Sequence, residues 1–301
     1  MRPQIVSRIS LALCFLAAAP IALSDEIPQT VPAAKSFSLG ELQLWSLRDS
    51  ALIVPNDGSV FGKNSTPAAV AQVLSAAGAP TDKIPLDVDV LMIRIPGHLV
   101  LLDAGWGSAG HTVLRQSLAS VGISPDSITD ILITHAHTDH VGGLVDAQGH
   151  PLFTKAAVRM SSNEWAFMQS QDDTRMLAAA IKSQVRPFEP GRQLLPGITP
   201  IALYGHTPGH VGYEIVSNGQ KLLDIGDLAH SSVISLAQPS WTIDYDGDPQ
   251  QGSRQRRSEL QQLASTHQLM FAPHFPFPGV GHIERSGEGF RFQPELPSAP
   301  Q

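Results

Sequence analysis

Six consecutive residues, His135-Ala136-His137-Thr138-Asp139-His140, put four metal-ligating side chains within reach of one another. In an extended stretch, residues two apart point to the same side, so His135 and His137 can grip one ion. A turn of helix directly afterwards swings Asp139 and His140 toward a second position. Neutral imidazole and carboxylate suit Zn²⁺, Mn²⁺ or Fe²⁺. Gly142-Gly143 lets the backbone turn closely beside the ions. Coincidence among 12 histidines explains this poorly, because the segment follows a short apolar run at 128–134 that reads as a buried strand.

Three later segments have the features of the missing ligands. Gly205-His206-Thr207-Pro208-Gly209-His210 is a turn that follows a strand. Leu223-Asp224-Ile225-Gly226-Asp227 ends another strand, and Ala272-Pro273-His274 a third. Strand ends that converge on one rim are where a sheet-based protein builds a site. A lone loop histidine is more often surface or core than ligand. Here the six-residue segment needs partners, and these three lie downstream of it. His210 repeats within its turn and is expected to hydrogen-bond there rather than bind metal. There is no G-x-S-x-G elbow, so no serine nucleophile is implied.

The elements that must position these residues are legible in outline. Alternation at 42–47 predicts a first strand. A helix is expected over 67–77, capped by Ser65 or Thr66, with Pro67 in its first turn and Gly78 after its end. Strands at 88–95 and 99–102 form a hairpin around Pro96-Gly97. Helices are expected at 111–120, 162–170 and 174–185, and strands at 198–204, 211–216, 221–225 and 268–272. Asp248 suits an N-cap and Pro249 the first helical position after it. Asp244 and Asp246 read as loop. Helices alternate with hairpin strands rather than in a βαβ rhythm, which predicts an α/β (α+β) protein with two mixed sheets covered by helices.

The ordered set L-L-D-A-G at 101–105, H-A-H-T-D-H at 135–140, G-H-T-P-G-H at 205–210, G-D at 226–227 and His274 resembles the metallo-β-lactamase-fold superfamily over roughly residues 40–290. The segments at 226–230, 244–249 and 274–282 are similar to its methyl parathion hydrolase branch, near the acyl-homoserine-lactone lactonases. The resemblance implies a four-layer αββα sandwich with the metals on one rim. It implies one ion held by His135, His137 and His206, another by Asp139, His140 and His274, and Asp227 between them. Asp103 would orient a ligand rather than bind metal. Two divalent ions, zinc first by ligand type, would share a bridging hydroxide that attacks a carbonyl carbon or a phosphorus. Asp139 would also relay a proton. His230 stands where lactonases of the superfamily carry a tyrosine, and with Trp165 and Phe275 it is a candidate to contact substrate.

The 301 residues suffice for one large domain, and the formal charge of −7 gives no nucleic-acid footprint. Arg254, Arg256 and Arg257 read as a solvated helix face. Arg2 and Arg8, the short apolar run at 9–19 and Ala22-Leu23-Ser24 read as a signal peptide over 1–24. A linker over 25–38 and one hydrolase domain over 39–295 would follow. The single cysteine, Cys14, lies in the signal, so the mature chain would hold metal by His and carboxylate alone. Bacterial periplasmic or secreted placement follows, with no stable membrane anchor after signal removal. The expected activity is cleavage of an ester, lactone or phosphotriester in a small molecule. The alternatives are a β-lactamase of the same fold and a catalytically weak metal-binding sensor or partner protein. A homodimer fits the resemblance.

Overall fold

A computed structural model of the chain describes residues 30–107 and 111–297. The signal peptide read at 1–24 lies outside those residues. Seven strands form the first sheet in sequence order. They are β1 (Ala34–Leu39), β2 (Leu42–Pro55), β3 (Lys83–Ile95), β4 (His98–Leu102), β5 (Asp130–Leu132), β6 (Ala157–Ser161) and β7 (Val185–Phe188). The first four pair antiparallel, and β4 to β7 pair parallel. The second sheet runs from β13 (Gly289–Pro294) through β12 (Val280–Ser286), β11 (Leu269–Phe271), β10 (Gln220–Asp224) and β9 (Val211–Ser217) to β8 (Ile198–Ala202). Its one parallel pair is β10 with β11.

Alternation along the strands makes the layers. On β3, Leu91, Ile93 and Ile95 join Val211, Tyr213 and Ile215 of β9 in the core between the sheets. Val90 and Met92 point the other way, into a core shared with α2 (Leu114–Ser120), α4 (Ser162–Ser170) and α5 (Arg175–Ile181). Beyond the second sheet, Leu223 and Met270 pack on Leu236 of α6 (Ile234–Ala237) and on Leu260 and Leu263 of α7 (Pro249–Thr266). The result is the expected helix–sheet–sheet–helix sandwich. The helix α1 (Pro67–Ala76) begins as read, with Thr66 accepting from Ala69 N. Asp248 caps α7 by accepting from Gln251 N.

Four expectations need correction. The linker ends early: residues 34–38 belong to β1, where Ala34 to Leu39 pair with Leu47 to Leu42, because Phe37 and Leu39 have apolar space to fill. The helix read over 174–185 stops at Ile181, and Val185 starts an edge strand on β6. The hairpin β12–β13 was not foreseen. Arg256 is not on a solvated face: it is buried, and its guanidinium donates to Leu228 O, Trp241 O and Asp246. Among the described residues no helix is long and apolar enough to cross a membrane.

Candidate metal centre

Both sheets end at one rim, and their loops bring the candidate ligands together. Just past β5, His135 and His137 lie in extended chain, and His137 starts the single turn α3 (Thr138–Val141) with φ −70° and ψ 153°. The change from extended chain to helix presents 135 and 137 on one side and swings 139 and 140 to another. A Cβ at Gly142 or Gly143 would strike the backbone carbonyls of Trp106 and Ala104, so the close approach after the turn requires glycine. Asp103 follows β4 in a left-handed conformation, φ 65°, that a non-glycine residue adopts only under constraint.

The donor atoms of the seven expected ligands form two groups around one carboxylate, and Asp227, His230 and His274 converge as a third, overlapping set. His135 Nε2 lies 3.1 Å from His137 Nδ1, and His206 Nε2 lies 2.9 Å from that same Nδ1. Asp227 Oδ2 faces this trio, 3.5 Å from His135 Nε2 and 3.2 Å from His206 Nε2. Its Oδ1 faces the other way, 3.1 Å from His140 Nε2 and 3.2 Å from His274 Nε2. Asp139 Oδ2 completes the second trio, 3.6 Å from His140 Nε2 and 3.5 Å from His274 Nε2. The ligand atoms of His135, His137, His206 and Asp227, and separately those of Asp139, His140 and His274, lie within 4.8 Å of one another.

Three of the rings are aimed from behind. His140 Nδ1 donates to Asp103 Oδ2 at 2.7 Å, and Asp103 also accepts from Thr134 N and Thr134 Oγ1. His206 Nδ1 meets Asp246 Oδ1 at 2.9 Å, and Asp246 is held by Arg256 at 3.0 Å. His274 Nδ1 donates to Asp87 O at 2.8 Å. With those nitrogens engaged, the ε nitrogens of His140, His206 and His274 are the ones left facing the centre. His210 binds Leu203 O through Nδ1 and accepts from Asp227 N at 3.1 Å, so it positions the Asp227 backbone from behind the ligand cluster. Gly226, at φ +47°, makes room, because a Cβ there would strike His210 Nε2.

Protons serve this cluster badly. Burial and the neighbouring His206 hold His137 down at about 3. Burial pulls His206 down too, but Asp227 and Asp246 outweigh it and hold it up at about 9. Burial would also lower His140, yet the carboxylates of Asp227, Asp139 and Asp103 raise it well above the imidazole range. His140 Nε2 and Asp227 Oδ1 are buried without a hydrogen-bond partner. Converging lone pairs, short nitrogen–nitrogen contacts and orphaned buried donors are what divalent cations satisfy. The donor set therefore fits metal.

Two residues proposed for substrate contact sit elsewhere. Phe275 is fully buried against Phe292 in the core under α7. Trp165 packs on the core under α4, and Phe167, on another face of that helix, reaches the site instead. His230 does reach it: its Nε2 lies 3.0 Å from Asp227 Oδ2, and its ring stacks on His274 at 5.4 Å. Sequence reasoning missed Glu164, Asp246, Arg256 and Tyr245. Glu164 is fully buried and accepts from Ala136 N, Thr207 Oγ1 and Gly209 N, tying the two ligand-bearing loops together. Its only sequence signal is a carboxylate three residues after Ser161, which resembles an ordinary helix start.

The sequence profile of the metallo-beta-lactamase superfamily matches residues 84–265, and the chain belongs to that family. Among solved structures it is similar to AidC, a dizinc quorum-quenching lactonase, with 28% identity and a TM-score of 0.84 over 88% of this chain and 98% of that one. It is similar also to the hydrolase AbOPH, with 26% identity and a TM-score of 0.81 over 90% and 99% of the two chains. A metallo-beta-lactamase domain-containing protein 1 of Xenopus laevis is 31% identical over 44% of this chain. A ribonuclease Z of Pyrobaculum aerophilum is 50% identical over 16% of it. The matches span 48% of the frog protein's length and 15% of the ribonuclease's.

Proposed function

We propose that this chain is a metal-dependent hydrolase that cleaves an uncharged ester, lactone or phosphotriester. His135, His137 and His206 would hold one divalent ion, and Asp139, His140 and His274 another, with Asp227 between them. Zinc fits the imidazole-rich set, and the dizinc description of AidC supports it. Bound there, such a pair supplies Lewis acidity toward the attacked oxygen and lowers the pKa of water to near neutrality.

The observation that carries the substrate class is the lining of the cavity over the ligands. Its walls include Leu52, Leu86 and Trp106, its floor Asp139, Asp227 and His274, and its rim Asp173. Among the described residues no lysine or arginine lines it. Apart from the metal ligands, a phosphodiester or a β-lactam carboxylate would meet Asp173 and no lysine or arginine, whereas a neutral substrate needs no such partner. The side-chain roles follow. Asp139, one-fifth exposed, is the ligand-set carboxylate open to the cavity and is placed to take up a proton. His230, buried with its Nδ1 unpartnered and its Nε2 3.0 Å from Asp227 Oδ2, lines the cavity where it can contact a substrate oxygen. Export through the segment at 1–24 fits the cysteine-free remainder of the chain.

The test is a substrate panel on metal-loaded protein: a dialkyl nitrophenyl phosphate, a nitrophenyl ester, an acyl-homoserine lactone, a cephalosporin and a short RNA. Turnover of one or more of the first three, and not of the last two, is expected. Efficient cleavage only of the cephalosporin or the RNA overturns the proposal.

A further inference from the structure

The cavity above the ligands is small. Its volume is about 230 Å³, below the roughly 300 Å³ lower bound usual for small-molecule sites. A second cavity of about 410 Å³ adjoins it, lined by Phe167, Pro208, Gly247 and Gln251. His137 and Tyr245 line both. His137 is a metal-ligand candidate, so Tyr245 is the residue outside the ligand set that both linings share.

We propose that Tyr245 partitions the substrate cavity and sets the size of the apolar arm accepted on each side of the scissile bond. This rests on the hydrolase reading given above. The compact arm lies against Leu52, Leu86 and Trp106, and the longer arm passes Tyr245 toward Phe167.

The partition is fixed rather than loose, because its backbone is pinned on both sides. Before it, Ile243 bridges to Phe61 and Asp244 N donates to Val60 O. After it, the fully buried Asp246 carboxylate holds His206 and Arg256, Gly247 N donates to His206 O, and Asp248 N donates to Gly205 O. Asp246 N also donates to Ile243 O at 3.3 Å, so Asp244 and Tyr245 are the two central residues of a turn, and Tyr245 lines both cavities. Tyr245 is 40% exposed, and its ring lies 6.0 Å from that of His230. The segment that aims His206 therefore also presents the wall of the substrate space.

The experiment compares wild type, Tyr245→Ala and Tyr245→Phe, each metal-loaded and checked for melting temperature. Binding of two uncleavable neutral amides, one with a butanoyl and one with a dodecanoyl arm, is read from tryptophan fluorescence, with Trp106 in the smaller cavity as reporter. Binding is read whether or not any ester is hydrolysed, so it stands apart from the substrate panel. Tyr245→Ala is expected to shift the ratio of the two dissociation constants by about tenfold or more, while Tyr245→Phe leaves it unchanged. An unchanged ratio in Tyr245→Ala overturns the partition. So does a shift in Tyr245→Phe as large as in Tyr245→Ala, which would assign the effect to the hydroxyl. Absence of binding of either amide to wild type overturns it as well.

Discussion

The first sheet delivers its ligands in one unbroken stretch after β5, whereas the second delivers His206, Asp227 and His274 from three separate loops. The stretch needs little outside help with its spacing, because a switch from extended chain to helix sets it. The loops do need help: His206 leans on Asp246 and Arg256, Asp227 on His210, and His274 on a carbonyl of β3. The contiguous motif sets its own spacing, though His140 still takes its aim from Asp103, while every dispersed ligand is held by a partner outside its own loop. Those partners lie behind the ligands, away from the converging donor atoms.

Asp227 is where the two contributions meet, with one oxygen toward each trio. Its removal should have the largest effect. Asp227→Ala is expected to lower kcat on the order of 10³-fold and to reduce bound metal by one ion per chain. Elemental analysis beside steady-state kinetics checks this. Full metal content with near-normal turnover would mean that the two halves bind independently.

Arg256 comes next. Arg256→Leu strands the Asp246 carboxylate in a buried place, a change that costs about 3–5 kcal/mol. Because Asp246 aims His206, metal affinity should also weaken about 10–100-fold. Urea unfolding measures the first effect and chelator competition the second. Lost stability with unaltered affinity would show that the second-sheet ligands do not depend on their long-range supports.

Glu164 couples the two regions without touching the ions. Glu164→Gln turns an amide NH₂ toward one of three backbone or hydroxyl donors, for an expected loss of about 1–3 kcal/mol. Both His137 and His206 ride on the loops it joins, so metal release by a chelator should speed up as well. Unchanged release would place Glu164 in the packing alone.

The same contrast explains what was legible beforehand. The six-residue motif, the Asp248 cap and the Thr66 cap are local, and local spacing reveals them. His206, Asp227 and His274 were found only because the motif demanded partners and a family pattern supplied their order. Asp246 and Arg256 were misread, because an aspartate in a loop and an arginine on a helix look solvated until the fold buries them together. Trp165 and Phe275 failed for the converse reason: an aromatic near a site motif packs wherever apolar space is open, and here that was the core. The strand β1 was hidden by its small and polar residues, Ala34, Lys35, Ser36 and Ser38, and only pairing with β2 makes it a strand.

The smallest expected effect concerns the other end of β5. Asp130 begins that strand, where it accepts from His98, Arg159 and Thr129. Burial pushes its pKa up, but those three hydrogen bonds prevail and hold it below the usual carboxylate value. A depressed folded-state pKa makes the ionised carboxylate stabilising above the unfolded value of about 3.9, and that stability is lost as pH falls through the folded value. Asp130→Asn should therefore cost about 1 kcal/mol near neutrality, since the group is partly screened. The gap to wild type should close below about pH 4. Acid loosening of the metal rim affects both proteins alike, so it cancels in the comparison of their urea midpoints. Metal content near neutrality should not change, because His135 leans on Thr134 and the Ala136 backbone on Glu164 rather than on the start of the strand. A fall in metal content in Asp130→Asn would mean that the short strand passes strain along its length, and the motif would then be less self-sufficient than its spacing implies.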